Sequence, residues 1–116
     1  MIEKKLYTTI FHALFPHRST IRLYTDSKQK KDLFSQIDHI ILTDKEHADI
    51  LLIGNENQLV KDKLVFVYTY RAFKYYNKIA IGGLYWKKGR PNLIFQEKNL
   101  KKHRITLPSS MKKYIY

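Results

Sequence analysis

The chain has 116 residues, of which 44% are hydrophobic and 28% charged, and a formal net charge of +12. This length fits one domain, residues 1–116, that can bury its own core. The sequence contains no cysteine, which excludes disulfides, thiolate metal sites and thiol nucleophiles. It also lacks the run of about 18 apolar residues that a membrane span requires.

The positive charge is confined to the second half of the sequence. Residues 63–116 hold thirteen Lys and Arg and a single acid, Glu97, whereas residues 1–62 hold nine charges of each sign. Such a basic half favours an anionic partner: nucleic acid, an acidic protein face or a membrane surface. The alternative is a surface merely solvated by lysine, since Lys outnumbers Arg seventeen to five and phosphate-binding proteins rely more on Arg.

Residues 2–15 predict a helix with a broad apolar face. Apolar side chains recur there at i+4 spacing in two adjacent rows. Such a helix is either heavily buried or presents one face to a partner. The pair Phe15-Pro16 ends it, because the residue before a proline avoids the α conformation.

Strands and short helices alternate through the middle of the chain. A strand at residues 20–25 is followed by Asp26 and Ser27, residue types that cap helix N-termini, here of a short helix ending at Phe34. Further strands are predicted at residues 37–42, 50–53 and 64–68, with a weak helix or a loop at 57–61 and one or two helical turns at 71–76. The last two of these strands are continuous apolar runs, as expected when both faces are covered.

The last third predicts a hairpin and two helices. Strands at residues 79–86 and 92–97 are joined by a five-residue connection, residues 87–91, that contains Gly and Pro. A short helix is predicted at residues 99–103. A final amphipathic helix is predicted from the i+4 spacing of Leu107, Met111 and Ile115, with Pro108 in its first turn. The whole pattern favours an α/β fold with an open, mostly parallel sheet of about five to six strands, helices on both faces and a C-terminal β-hairpin.

The C-terminal third also carries a succession of motifs. A Gly-Gly pair opens the hairpin, a later strand carries a Phe, and an Asn-Leu pair begins a helix. These residues are Gly82, Gly83, Phe95, Asn99 and Leu100. The succession resembles the end of the YfiR-like (HmsC-like) family, in which the first helix also closes on an aromatic-Pro pair, here Phe15-Pro16. The chain is shorter than typical members and lacks the cysteines found in some of them.

The resemblance implies a small periplasmic α/β protein that is not an enzyme. One member of this family holds the periplasmic domain of a membrane-bound diguanylate cyclase in check, and others are free periplasmic proteins or sensor modules of signalling proteins. No signal peptide is recognisable from Met1 onward. A periplasmic location therefore presumes a leader outside this sequence, and the cytoplasm is the alternative.

No pattern in the sequence predicts catalysis, a metal ion or a cofactor. The five histidines lack metal-ligand spacing, since Pro16 separates His12 from His17 and cations surround His103. Three carboxylates cluster near His47, but they form a polar loop and not the cleft that catalytic carboxylates need. They are Asp44, Glu46 and Asp49. No serine lies in a G-x-S-x-G elbow, and no phosphate loop is present. The pair Gly82-Gly83 is more typical of a bulge or a close backbone approach than of a phosphate-binding loop.

Aromatic and basic residues interleave from residue 68 to residue 90. Rings and cations together bind single-stranded nucleic acid, but Tyr and Trp also dominate protein interfaces, and many of these rings must be core. No nucleic-acid recognition signature is present. We therefore expect a regulatory or sensory protein that binds a protein partner, with a basic nucleic-acid-binding module as the alternative. The expected contact surfaces are the helix at residues 2–15 and the hairpin residues Trp86, Lys87, Lys88 and Arg90.

Overall fold

The structure, a computed structural model, describes residues 2–55, 57, 59 and 61–116. In chain order its elements are α1 (Ile2–Leu14), β1 (Ile21–Thr25), α2 (Lys28–Phe34), β2 (Ile40–Leu42), β3 (Ile50–Ile53), β4 (Leu64–Val67), α3 (Tyr70–Tyr75), β5 (Gly82–Lys87), β6 (Arg90–Phe95), α4 (Glu97–Lys102) and a 3₁₀ helix (Ser109–Tyr114). Within these residues, no helix is long and apolar enough to cross a membrane. The segment 57–61, predicted as a weak helix or a loop, lies partly outside the described residues.

The strands form one six-stranded sheet in the order β2-β1-β3-β4-β5-β6. Strands β1 to β5 are parallel, and β6 returns antiparallel to β5. This confirms the predicted α/β architecture with its mostly parallel sheet and C-terminal hairpin. The chain moves from β1 outward to β2 and then crosses to β3 on the other side of β1, so the strand order reverses between β1 and β3. Doubly wound sheets open a crevice at the carboxyl ends of the strands at such a point.

Each face of the sheet has its own hydrophobic core. The larger core packs α1, α2, α4 and the 3₁₀ helix against the sheet, and the smaller one packs α3 on the opposite face. Strand β3 lies between the two cores, and all four of its residues are buried. Its apolar run is therefore explained by coverage on both sides.

The apolar face of α1 belongs to the larger core. Its buried residues are Tyr7, Ile10, Phe11, Ala13 and Leu14. The rings of Tyr7, Phe11 and Phe34 of α2 pack together, with centroids 5.1 to 5.8 Å apart. The expectation that this face serves a partner is wrong for these five residues, because the larger core already buries them.

Element ends differ from the predictions where a local turn intervenes. Strand β2 begins at Ile40 and not at residue 37, because the Ile37 amide still donates to the Phe34 carbonyl (3.0 Å) as α2 ends. Helix α2 begins after Ser27, whose hydroxyl accepts the Lys30 amide (3.1 Å), as predicted for an N-cap. Asp26, the other predicted cap, makes different contacts, described below.

The C-terminal segment departs most from the predicted amphipathic α-helix. The Met111 amide donates to the Pro108 carbonyl (2.9 Å), which is the i+3 pattern of a 3₁₀ helix. Ile115 is extended and forms a parallel bridge with Phe95 of β6. Helix α4 begins at Glu97, two residues earlier than predicted. Docking of the chain end on the sheet edge thus replaces the last helical turn.

Candidate functional site

The β5–β6 hairpin ends in a tight, exposed turn. Lys87 pairs with Arg90, which leaves the two-residue turn Lys88-Gly89 in place of the predicted five-residue connection. The φ angles are 52° at Lys88 and 77° at Gly89, as a type I′ turn requires. Pro91 belongs to the strand, and β6 accepts it because an edge strand needs fewer donors.

The predicted contact residues of the hairpin lie together on the surface. Lys87, Lys88 and Arg90 are exposed, and none of them forms an ion pair with another described residue. Trp86 is 43% exposed, so its indole is neither buried in a core nor free of contacts. The turn therefore presents three cations beside a partly accessible aromatic surface.

The glycine pair at the start of β5 is required by close packing. A Cβ at Gly82 would overlap the carbonyl oxygen of Ile94, and a Cβ at Gly83 would meet the Val67 side chain at 2.7 Å. Only glycine lets β5 approach both neighbouring strands here.

The other motif residues lie in or against the larger core, except for Pro16. Phe95 and Leu100 are buried in this core, Phe15 packs at its margin, and Pro16 is exposed after α1. Asn99 is buried, and its amide donates to the carbonyls of Asn77 (3.3 Å) and Ala80 (2.8 Å). Apart from Pro16, these residues are buried or half-buried and form no exposed surface with the hairpin turn.

A second candidate site lies at the carboxyl ends of the parallel strands, where the sequence predicts only caps and turns. Asp26 follows β1, Gly54 and Asn55 follow β3, and Tyr68 follows β4. The Asp26 carboxylate accepts the amides of Gly54 (3.1 Å) and Asn55 (2.7 Å) and the Tyr68 hydroxyl (2.7 Å). One side chain thus connects the ends of three strands.

The surroundings of Tyr68 keep its hydroxyl a donor. Burial, the hydrogen bond to Asp26 and the charge of that carboxylate all raise the pKa of Tyr68. The Lys30 ammonium lies 5.0 Å from the centre of the Tyr68 ring and pairs with Glu3 at 2.6 Å. Gly54 has to be glycine, because a Cβ there would overlap the Tyr68 ring.

A cavity of about 250 Å³ opens beside this cluster. Its lining residues are Gly54, Asn55, Asn57, Arg71, Ala72, Tyr75 and Tyr76. Arg71 and Tyr75 of α3 are exposed, and Arg71 forms no ion pair within the described part of the chain. The sequence signal for this site was the placement of turn residues after successive parallel strands.

The acidic loop around His47 does not form one site. Asp44 pairs with His47 at 2.7 Å, and this hydrogen bond lowers the pKa of Asp44. Asp49 instead binds the guanidinium of Arg18 and the amide of Arg22, each at 2.8 Å. Across residues 2–55, 57, 59 and 61–116, no three His, Cys, Asp or Glu side chains are grouped to hold a metal ion.

The chain matches no protein-family model and no curated protein. Among solved structures it is similar to a conserved domain protein from Vibrio cholerae, with a TM-score of 0.64 and 10% identity. The similarity covers 97% of this chain and 58% of that one, so this chain spans less than two thirds of the solved protein. At this identity the similarity shows a shared fold alone.

Proposed function

We propose that this protein is a regulatory binding protein that recognises the acidic face of a protein partner with its β5–β6 hairpin. The turn carries the proposal, because it exposes Lys87, Lys88 and Arg90 beside the partly exposed Trp86. In protein interfaces, exposed charges set the rate of encounter, and a buried aromatic side chain supplies affinity. The hairpin offers both within one turn.

The backbone at Lys88 supports a role for its charge. Its φ of 52° lies in the left-handed region, where type I′ turns favour Asn or Gly. Its ammonium has no ion-pair partner among the residues described. A lysine that costs stability at a turn is expected where a partner uses its charge.

The charge distribution and the family resemblance together indicate what kind of partner the hairpin binds. Residues 63–116 hold thirteen cations and one acid, which is complementary to an acidic protein face. The resemblance to the YfiR-like family supports a partner that is the periplasmic part of a membrane signalling enzyme of the diguanylate cyclase type. Occupancy of that partner would change its activity, so this role needs no catalytic group or cofactor in the chain.

Two matched charge reversals test the hairpin. Lys87→Glu with Lys88→Glu reverses the charge of the turn, and Lys112→Glu with Lys113→Glu makes the same change at two exposed positions of the 3₁₀ helix. We expect the first pair to abolish capture of an acidic protein from lysate, and the second pair to retain it. Both should melt near the wild-type temperature, because exposed substitutions usually change stability by less than about 0.5 kcal/mol. Capture that survives the hairpin reversal would contradict the proposal.

A nucleic-acid-binding role is the second candidate, favoured by exposed rings on α3. Tyr70 and Tyr75 are 54% and 72% exposed and lie beside the exposed cations Arg71 and Lys74. Without a reading motif such binding would be non-specific, with a log–log salt slope of about −0.9 per neutralised duplex phosphate. Sequence-selective binding at about 0.15 M salt, or captured material that nuclease removes, would favour this candidate over the first.

A periplasmic location is part of the proposal and has its own test. The complete native gene is fused to a reporter that is active only outside the cytoplasm. Reporter activity supports the location and, with it, a signalling partner at the membrane. Activity from a reporter that works only in the cytoplasm would overturn it.

A further inference from the structure

We propose that the cavity between the β3–β4 loop and α3 binds a small organic anion: a carboxylate or phosphate group attached to a planar ring. The site comprises Arg71, Tyr75 and the loop residues Asn55 and Asn57. It is separate from the hairpin turn, so it stands or falls independently of the proposed partner surface.

The position of the cavity is the first argument. It lies at the carboxyl end of β3, between the loop that follows this strand and α3, which follows β4. Open α/β sheets bind their ligands outside the carboxyl ends of their strands. The cavity therefore lies at the end of the strands where this class of fold binds ligands.

Arg71 indicates an anion. It lines the cavity, and its guanidinium forms no ion pair with another described residue. A guanidinium presents a planar fork of donors that fits a carboxylate or a phosphate. The Gly54 and Asn55 amides already donate to Asp26, so they are not free to bind an anion. Arg71 is therefore the group that would bind the acid group of a ligand.

The aromatic rings indicate a planar group on that anion. The Tyr75 ring meets the Tyr76 ring edge-on with centroids 4.7 Å apart, and Tyr75 is 72% exposed. An aromatic ring that is held by its neighbour and still open to solvent is suited to stack on a flat ligand. A bound ring would cover this exposed surface while its acid group reached Arg71.

The volume limits the size of the ligand. Sites for drug-sized molecules enclose about 300–1,000 Å³, and this cavity measures about 250 Å³. A single ring with one acidic group fits that space, whereas a dinucleotide does not.

The test is a titration monitored by amide NMR with four probes. Benzoate and phenyl phosphate carry both a ring and an anionic group, benzamide has the ring alone, and acetate has the charge alone. We expect saturable shifts of the Gly54, Asn55 and Ala72 resonances with benzoate or phenyl phosphate below about 10 mM. Stronger binding by one of the two identifies the acid group. Benzamide and acetate should bind at least about tenfold more weakly.

Arg71→Gln and Arg104→Gln form the matched pair of variants. Both arginines are exposed, and Arg104 does not line the cavity. We expect Arg71→Gln to weaken binding about tenfold or more and Arg104→Gln to leave it unchanged. Arg71→Lys, which keeps the charge and loses the fork, should fall between Arg71→Gln and the wild type.

Four results would overturn the proposal: no saturable shift below about 10 mM, shifts centred away from the cavity, benzamide or acetate binding as tightly as benzoate, or equal losses in Arg71→Gln and Arg104→Gln. The last would mean that general positive charge attracts the anion. None of these measurements involves the hairpin, so the two proposals fail separately.

Discussion

The carboxylate of Asp26 connects the ends of three parallel strands. It accepts hydrogen bonds from Gly54, Asn55 and Tyr68. An asparagine offers one acceptor oxygen in place of two and has no charge, so Asp26→Asn leaves a donor unsatisfied. We expect a loss of about 1–3 kcal/mol in the free energy of unfolding, measured by urea denaturation.

The control for Asp26→Asn is Asp32→Asn in α2. Asp32 is exposed, and its carboxylate forms no ion pair with another described residue. Its substitution should change the free energy of unfolding by less than about 0.5 kcal/mol. If Asp26→Asn is equally mild, the carboxylate does not hold the strand ends together.

At Lys88 we expect a substitution to stabilise the protein, in contrast to Asp26→Asn. Its φ of 52° suits asparagine better than lysine, so Lys88→Asn should stabilise the protein by about 0.5–1 kcal/mol. The same variant should bind the partner more weakly, because it removes a turn cation. Thermal unfolding and partner capture, measured on one preparation, check both effects. A lower melting temperature would show that the lysine side chain stabilises the turn.

Among the elements, α1 shows how an apolar face divides between core and surface. Phe11 is fully buried against Tyr7 and Phe34, whereas Ile2 is 64% exposed in the same helix. Phe11→Ala should cost about 3–5 kcal/mol, because it removes a ring and leaves a cavity. Ile2→Ala should cost less than about 0.5 kcal/mol. Urea denaturation of the two variants gives both values, and similar losses would contradict the burial of this face.

Elements were predictable where burial imposes a pattern. The apolar runs of β3 and β4 and the i+4 rows of α1 all follow from the faces that they bury. The C-terminal helix was not predictable in the same way. Its spacing is helical, but Ile115 pairs with Phe95 of β6 across the fold. Contact with a distant strand overrides a local period.

The hairpin residues were predictable from the sequence, but the turn that displays them was not. Gly and Pro mark a connection, whereas its length depends on how far pairing continues, here to Lys87 and Arg90. The cavity at Arg71 was missed for a related reason. Its walls, the loop after β3 and α3 after β4, meet only once these two strands pair, and Asp26 contacts Gly54 across 28 positions of sequence. No local pattern specifies that neighbour.

In the whole molecule, the C-terminal residue covers part of the sheet edge formed by β6, at the end of this strand away from the hairpin turn. The Tyr116 amide donates to the Phe95 carbonyl (2.8 Å), and the Tyr116 carbonyl accepts the Glu97 amide (2.9 Å). Pro91, near the other end of β6, has no amide hydrogen to offer. Both features limit pairing of another strand along this edge. A partner would therefore meet the hairpin through its turn and side chains, as the charge reversals assume.

The stability of the whole molecule should depend on pH through a histidine pair. The His39 ring stacks on the ring of His12 in α1, with centroids 5.0 Å apart. Burial, followed by the nearby His12, lowers the pKa of His39 below its usual value of 6.5, while Asp38 acts in the opposite direction. Burial and then Lys102 also lower the pKa of His103.

The sign of this pH dependence follows from proton binding. A histidine with a lowered folded-state pKa takes up its proton more readily in the unfolded chain, whose pKa is near 6.5. Stability therefore falls as the pH drops through 6.5 toward the folded-state pKa. Above that window the histidine is neutral in both the folded and the unfolded state, so it contributes no pH dependence. His39→Phe keeps a ring against His12 and removes the titrating group, so its free energy of unfolding should decline less between about pH 7 and pH 5. Urea denaturation across this range measures the two slopes, with His17→Gln as the exposed single-histidine control. An unchanged slope in His39→Phe, or an equal flattening in His17→Gln, would show that the stacked pair does not cause the acid sensitivity.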